Sequence, residues 1–222
     1  MKIIAHRGFS SHYPENTLLA FEKALELGVD GIETDLRLSR DEKAIIFHDA
    51  NLKRLTGLDT TPESLSLAEL QALSLKEKQH IPALEELLQL TDSSAILILE
   101  IKYNPATYKR LCEVIEETIK DKLDWIEVSC FEDIVLEYIY RLNPHIKLHK
   151  LINKASTLKD TEFEKRYDYV NYFDIDISLK KTVLEAGLLQ RYKVIFWTVD
   201  KEDISQEKEA GLYGIMKNNP SV

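Results

Sequence analysis

Short runs of aliphatic and β-branched residues alternate along this chain with longer amphipathic stretches, and no other feature constrains its fold as much. Such alternation is the signature of repeated βα units around a parallel sheet. Nine runs read as strands: Lys2 to Ala5, Gly31 to Leu38, Ala44 to Phe47, Ala95 to Ile101, Trp125 to Ser129, Lys147 to Ile152, Tyr169 to Phe173, Lys193 to Val199 and Tyr213 to Met216. An α/β barrel has eight places, and 222 residues is near the usual size for one. The surplus run is Ala44 to Phe47, which follows its predecessor across the short Ser39, Arg40, Asp41, Glu42 connection. That is too short for the crossover between parallel neighbours, so the run is predicted to be an extra strand outside the barrel.

Helical spacing is clearest after Pro14, where Asn16 or Thr17 can cap and Leu18, Phe21, Ala24 and Leu25 form a stripe ending at Gly28. A second stripe, Leu111, Val114, Ile115 and Ile119, predicts a helix over Pro105 to Lys120. Residues 52–79 exceed an ordinary βα connection and carry Pro62, Leu65, Leu67, Leu70 and Leu73, so a small insertion over one end is expected there. No low-complexity tract or repeat marks a boundary, and residues 1–222 are expected to form one domain.

The formal net charge of −9, with scattered basic residues, opposes binding to nucleic acid or anionic membranes. An anionic substrate would have to be held by local positive groups. Cys112 and Cys130 lack the CxxC spacing of a zinc or redox site and read as buried thiols. No apolar stretch approaches a signal peptide or the roughly 20 residues of a membrane-spanning helix. The expectation is a soluble, cytoplasmic protein without stable membrane insertion.

In G-I-E-T-D-L-R-L, Glu33 and Asp35 stand two apart and project from one face of a strand. Two carboxylates on one face repel unless a cation joins them. In I-L-I-L-E-I-K, Glu100 and Lys102 repeat the spacing at the end of a nearly all-apolar strand, which is where a barrel carries its catalytic rim. Three carboxylates without a cysteine or histidine cluster favour a hard cation, Mg2+ or Ca2+, over zinc. His6 and His48 each follow an apolar run, aimed at the same rim, where one could accept a proton while the other donates it. Arg7 and Lys102 add donors able to clamp a phosphate. Trp197 closes another apolar run and stands either in the core or at the rim, where its indole would cover the apolar face of a small polyol. His12, His80, His145 and His149 lack such settings and read as surface or packing residues.

Taken in order, these residues resemble the glycerophosphodiester phosphodiesterases. The likeness runs through H-R-G at His6 to Gly8, P-E-N-T at Pro14 to Thr17, Ala20 and Phe21, and G-V-D-G-I-E-T-D at Gly28 to Asp35. It continues in H-D at His48 and Asp49, L-K-R-L-T-G at Leu52 to Gly57, I-P-A-L-E-E-L-L at Ile81 to Leu88, L-E-I-K at Leu99 to Lys102, and W-T-V at Trp197 to Val199. The resemblance implies a (β/α)8 barrel, a divalent cation on Glu33, Asp35 and Glu100, His6 and His48 as acid and base, and Arg7 with Lys102 on the phosphate. It also implies hydrolysis of a small glycerophosphodiester to glycerol 3-phosphate and an alcohol. A lysophospholipase D or phospholipase C-like enzyme could use the same residues on a lipid, entering over Leu55, Leu58, Leu65 and Leu67. A non-catalytic binding homologue would lack at least one of His6, Glu33, Asp35, His48 and Glu100, and all five are present. Two departures lie near the C-terminus: W-T-V-N of the family reads W-T-V-D here, ending in Asp200, and G-I-I-T-D-x-P reads G-I-M-K-N-N-P at Gly214 to Pro220.

Overall fold

The computed structural model describes residues 1–200, 204 and 210–221. Its strands are β1 (Lys2–His6), β2 (Gly31–Leu38), β3 (Ala44–Ile46), β4 (Ile96–Ile101), β5 (Ile126–Cys130), β6 (Lys147–Ile152), β7 (Tyr172–Asp176), β8 (Val194–Trp197) and β9 (Gly214–Lys217). Eight of them pair in parallel in the order β1, β9, β8, β7, β6, β5, β4, β2, and the pairing of β1 with β2 closes the ring. The fold is a TIM barrel. Strand β3 lies outside the ring, antiparallel to β2 with Leu36 opposite Ile46, as its short connection requires.

Thr17, not Asn16, caps the first helix (Leu18–Glu26), accepting the Ala20 N–H at 3.3 Å. Gly28 follows it with φ +71°, a conformation that costs glycine no Cβ clash. The predicted helix over Pro105 to Lys120 forms as Tyr108–Ile119, burying Leu111, Val114, Ile115 and Ile119. Residues 52–79 fold as short helical turns around a small cluster of their own, in which Leu52, Leu70 and Leu75 meet Ile45, Phe47 and Ile81. Each such buried aliphatic side chain contributes about 1.5–3 kcal/mol, which fixes β3 and the end of Phe47 against the barrel.

Two corrections arise. The strand predicted at Tyr169 to Phe173 forms at Tyr172–Asp176, so the pleat there is set by ladder pairing of Asp174 with Ile195, not by the aromatic run. His149, grouped with surface or packing residues, is fully buried and ionic. Ile4, Ile98, Ile195 and Met216 cluster inside the ring, and Glu127 pairs with Ile98 and Asp174 with Ile195, which puts both acids on that inner side. His149 Nδ1 lies 3.0 Å from Asp174 and Nε2 lies 2.9 Å from Glu127 Oε2. Burial opposes a charge on this ring, but the two carboxylates outweigh it and raise its pKa to about 9. The barrel interior thus replaces part of the usual branched aliphatic filling with a compensated charge cluster.

Candidate active site

The parallel register brings the rim residues together. His6 on β1 lies beside Glu33 on β2, and Asp35 lies beside Glu100 on β4. Carboxylate oxygens of Glu33, Asp35 and Glu100 all fall within 4.8 Å of one another, and all three residues are buried. Lys102 Nζ sits 2.6 Å from Glu100 Oε1 and 2.8 Å from Asp35 Oδ1, while Arg7 Nε is 3.1 Å from Asp35 Oδ2. A cavity of about 190 Å³ opens over this group, lined among others by His6, Arg7, His48, Lys102, Phe131 and Trp197. Every side chain that the sequence singled out contributes to this cavity except Asp35, which lies beneath it.

The titration shifts follow from the crowding. Burial, with Asp35 and Glu100 as neighbours, pushes Glu33 well above the usual carboxylate range despite Arg7 and Lys102. Burial also raises Glu100, to about 7, against the pull of Lys102. Asp35 behaves in the opposite way: burial would raise it, but Lys102 and Arg7 hold it well below its ordinary value. If all three were ionised, three carboxylates against two cations would leave one net negative charge, and burial makes two of the three acids resist that ionisation. An all-oxygen, buried donor set of this kind fits a hard divalent cation, which would turn the local charge to one positive and match a phosphodiester's single negative charge.

Both histidines are held from behind by Nδ1. His6 Nδ1 lies 2.7 Å from Asn218 Oδ1, and His48 Nδ1 lies 2.8 Å from Asp49 Oδ1. Burial lowers the pKa of each, with Arg7 adding to the effect on His6, so both rings favour the neutral form at rest. Arg37 clamps the His48 carbonyl through Nε and Nη2 at 3.1 and 2.9 Å. Trp197 is partly buried, its Nε1 donates to the Asp174 carbonyl at 3.0 Å, and Phe131 stands edge-on to it at 5.7 Å. The two rings form an apolar wall.

Several supporting residues were not singled out. Asn16, read only as a possible cap, is buried and donates through Nδ2 to Asp35 Oδ2 at 2.7 Å while accepting the Thr34 hydroxyl at 2.9 Å. Asp49 accepts from Arg54 at 2.6 Å, Arg54 reaches Glu15 at 2.7 Å, and Glu15 accepts from Arg7 at 3.1 Å. This chain of ion pairs ties the insertion, and through it His48, to Arg7. The only sequence signal for it was the polar letters inside P-E-N-T, H-D and L-K-R-L-T-G. Of the leucines considered for lipid entry, Leu55, Leu65 and Leu67 pack against the insertion's own cluster, and Leu58 is 41% exposed. His12 and His145 are exposed, and His80 lies 3.0 Å from Glu86. Cys112 and Cys130 are buried free thiols, each pushed up to about 12 by burial. No described helix is long and apolar enough to cross a membrane.

The sequence profile described as the glycerophosphoryl diester phosphodiesterase family matches residues 6–222. A glycerophosphodiester phosphodiesterase of Caldanaerobacter subterraneus is 29% identical over 231 residues, covering 99% of this chain and 95% of that protein. Among solved structures, a phosphodiesterase of Oleispira antarctica in complex with the product sn-glycerol-3-phosphate superposes with a TM-score of 0.88 at 25% identity, covering 100% of this chain and 94% of that one. A glycerophosphodiester phosphodiesterase of Thermotoga maritima gives 0.84 at 25% identity, covering 100% and 96%.

Proposed function

The chain belongs to the glycerophosphoryl diester phosphodiesterase family, whose members are phosphoric diester hydrolases, and from that premise we propose that it hydrolyses small glycerophosphodiesters to sn-glycerol 3-phosphate and an alcohol. The observation that supports this reading is the convergence of two histidines, two fixed cations and two buried carboxylates on one cavity of about 190 Å³, with Asp35 grouped with those carboxylates beneath it. The product complex of the Oleispira relative points the same way.

Glu33, Asp35 and Glu100 would hold Mg2+ or Ca2+, which when bound supplies Lewis-acid charge to the phosphate. The rest falls to the chain's own groups. Arg7 and Lys102, already fixed by ion pairs, present positive charge where negative charge accumulates on the phosphoryl oxygens. His6 and His48 offer Nε2 to the cavity, since Nδ1 of each is engaged behind it. One accepts the proton of the attacking oxygen and the other returns a proton to the leaving alcohol, assistance typically worth about 10²–10⁴ in rate. The Trp197 and Phe131 wall covers the carbon skeleton of the glycerol unit. A single exposed leucine among the four candidates favours a small head group over a lipid.

The test is release of glycerol 3-phosphate from glycerophosphocholine, glycerophosphoethanolamine and glycerophosphoglycerol, with and without EDTA. Turnover should vanish on chelation and return with added Mg2+ or Ca2+. Glu33→Gln, Asp35→Asn and Glu100→Gln should each lose metal-dependent activity while circular dichroism still reports a folded barrel. Full activity in excess EDTA would refute the assignment of the carboxylates.

A further inference from the structure

The two departures from the family pattern meet in space behind His6. Asp200 Oδ1 accepts the backbone N–H of Asn218 at 2.9 Å, and Asp200 Oδ2 accepts from Asn218 Nδ2 at 2.5 Å. The other end of the same amide, Asn218 Oδ1, lies 2.7 Å from His6 Nδ1 and 3.1 Å from the Ser10 hydroxyl, whose single proton also has the His6 carbonyl within 2.7 Å. An ionised carboxylate can only accept, so it dictates which end of the amide carries the hydrogens. With Nδ2 turned to Asp200, Oδ1 must face the imidazole, and only a protonated Nδ1 satisfies it. Nε2 is then the nitrogen left free, 3.8 Å from Glu33 Oε2 at the cavity.

We propose that Asp200 and Asn218 are positioning residues for the reaction: the carboxylate locks the amide, and the amide locks His6 as its Nδ1–H form, so that Nε2 alone exchanges protons with the substrate. The inference rests on His6 serving as one of the two proton-transfer groups. Neither residue touches the reacting atoms, and both act through the ring, as a hydrogen-bond partner behind a histidine commonly sets its tautomer. The same geometry also admits the exchanged pair. With an acid at 218 and an amide at 200, the acid still accepts from His6 and the new amide's Nδ2, and that amide's oxygen still accepts the backbone N–H of residue 218. Either change alone breaks the set: two amides lose the group that fixes their orientation, and two acids repel across a 2.5 Å contact.

The experiment is a double-variant cycle read in two ways, in Mg2+ buffer. Asp200→Asn should lower kcat about 10–100-fold, the usual scale for losing an outer hydrogen-bond partner, with little change in KM. Asn218→Asp should lose at least as much, and the exchanged double variant should regain most of the wild-type kcat, a non-additivity that a merely local packing role would not produce. Two-bond 1H–15N spectra of ring-labelled protein, with His6 assigned from His6→Asn, should show the Nδ1–H form in the wild type and the double variant and a mixture in Asp200→Asn. An Nε2–H ring in the wild type, or a double variant no better than its worse parent, overturns the proposal. A protein that releases no glycerol 3-phosphate overturns the functional reading alone, and the spectra still decide this one.

Discussion

Alkaline pH should weaken the barrel through His149. The ring keeps its proton in the folded state up to a pKa of about 9, whereas in the unfolded chain it loses it near 6.5. A raised folded pKa gives stability that is complete below the unfolded value and is lost as pH rises through the folded one. Between pH about 6.5 and 9 this ring by itself therefore gives the native state one more proton than the unfolded state, and its contribution to the unfolding free energy should fall by about 1.4 kcal/mol per pH unit. Over the whole window this comes to roughly 3 kcal/mol, or a drop in Tm of about 6–12 °C for a chain of this size. The other groups facing the ring do not mask the effect. Lys147 lies 3.5 Å from Glu127, and Tyr172, stacked on His149 at 4.3 Å, is held neutral by burial, which pushes its pKa above the ordinary value. Urea unfolding at pH 6, 7.5 and 9 measures the slope. The proper control is Glu127→Gln/His149→Gln/Asp174→Asn, because removing the ring alone would strand two buried carboxylates at a cost of about 3–5 kcal/mol. If wild type and triple variant lose stability in parallel over this range, His149 is not charged in the native state and the reasoning fails.

Two other tests address the rim. Gly8 has φ +78°, and a Cβ there would stand 2.7 Å from the carbonyl of Ala20; Gly8→Ala should destabilise the protein by roughly 1–3 kcal/mol and lower kcat by displacing His6 and Arg7, and normal thermal unfolding with normal turnover would show that the close approach is dispensable. His6→Ala and His48→Ala should each lose about 10²–10⁴ in rate on a natural head group. On a p-nitrophenyl ester, whose leaving group barely needs a proton, the variant lacking the acid should recover most of its loss and the other should not; equal losses on both substrates would mean that the histidines only shape the cavity.

The amino-acid sequence determined the barrel and most of the rim on its own, because both are written in short-range periods. A strand two residues from its next same-face neighbour must carry Glu33 with Asp35, and Glu100 with Lys102, to one side, and the brevity of the Ser39 to Glu42 connection excludes a parallel crossover whatever the rest does. Apolar runs closing on His6 and His48 put both at strand ends by the same arithmetic. Other features had no local signature. His149 has ordinary neighbours in sequence, and its charge depends on Glu127 and Asp174, which reach it only through ladder register across two strands. Asn16 reads as a cap until Asp35 is placed against it. Asp200 and Asn218 look like two unrelated departures until the rim sets them 2.5 Å apart behind His6. Periodicity fixes which face a side chain takes, whereas hydrogen bonds and pKa values depend on distances between segments far apart in the chain, and only closure of the ring sets those.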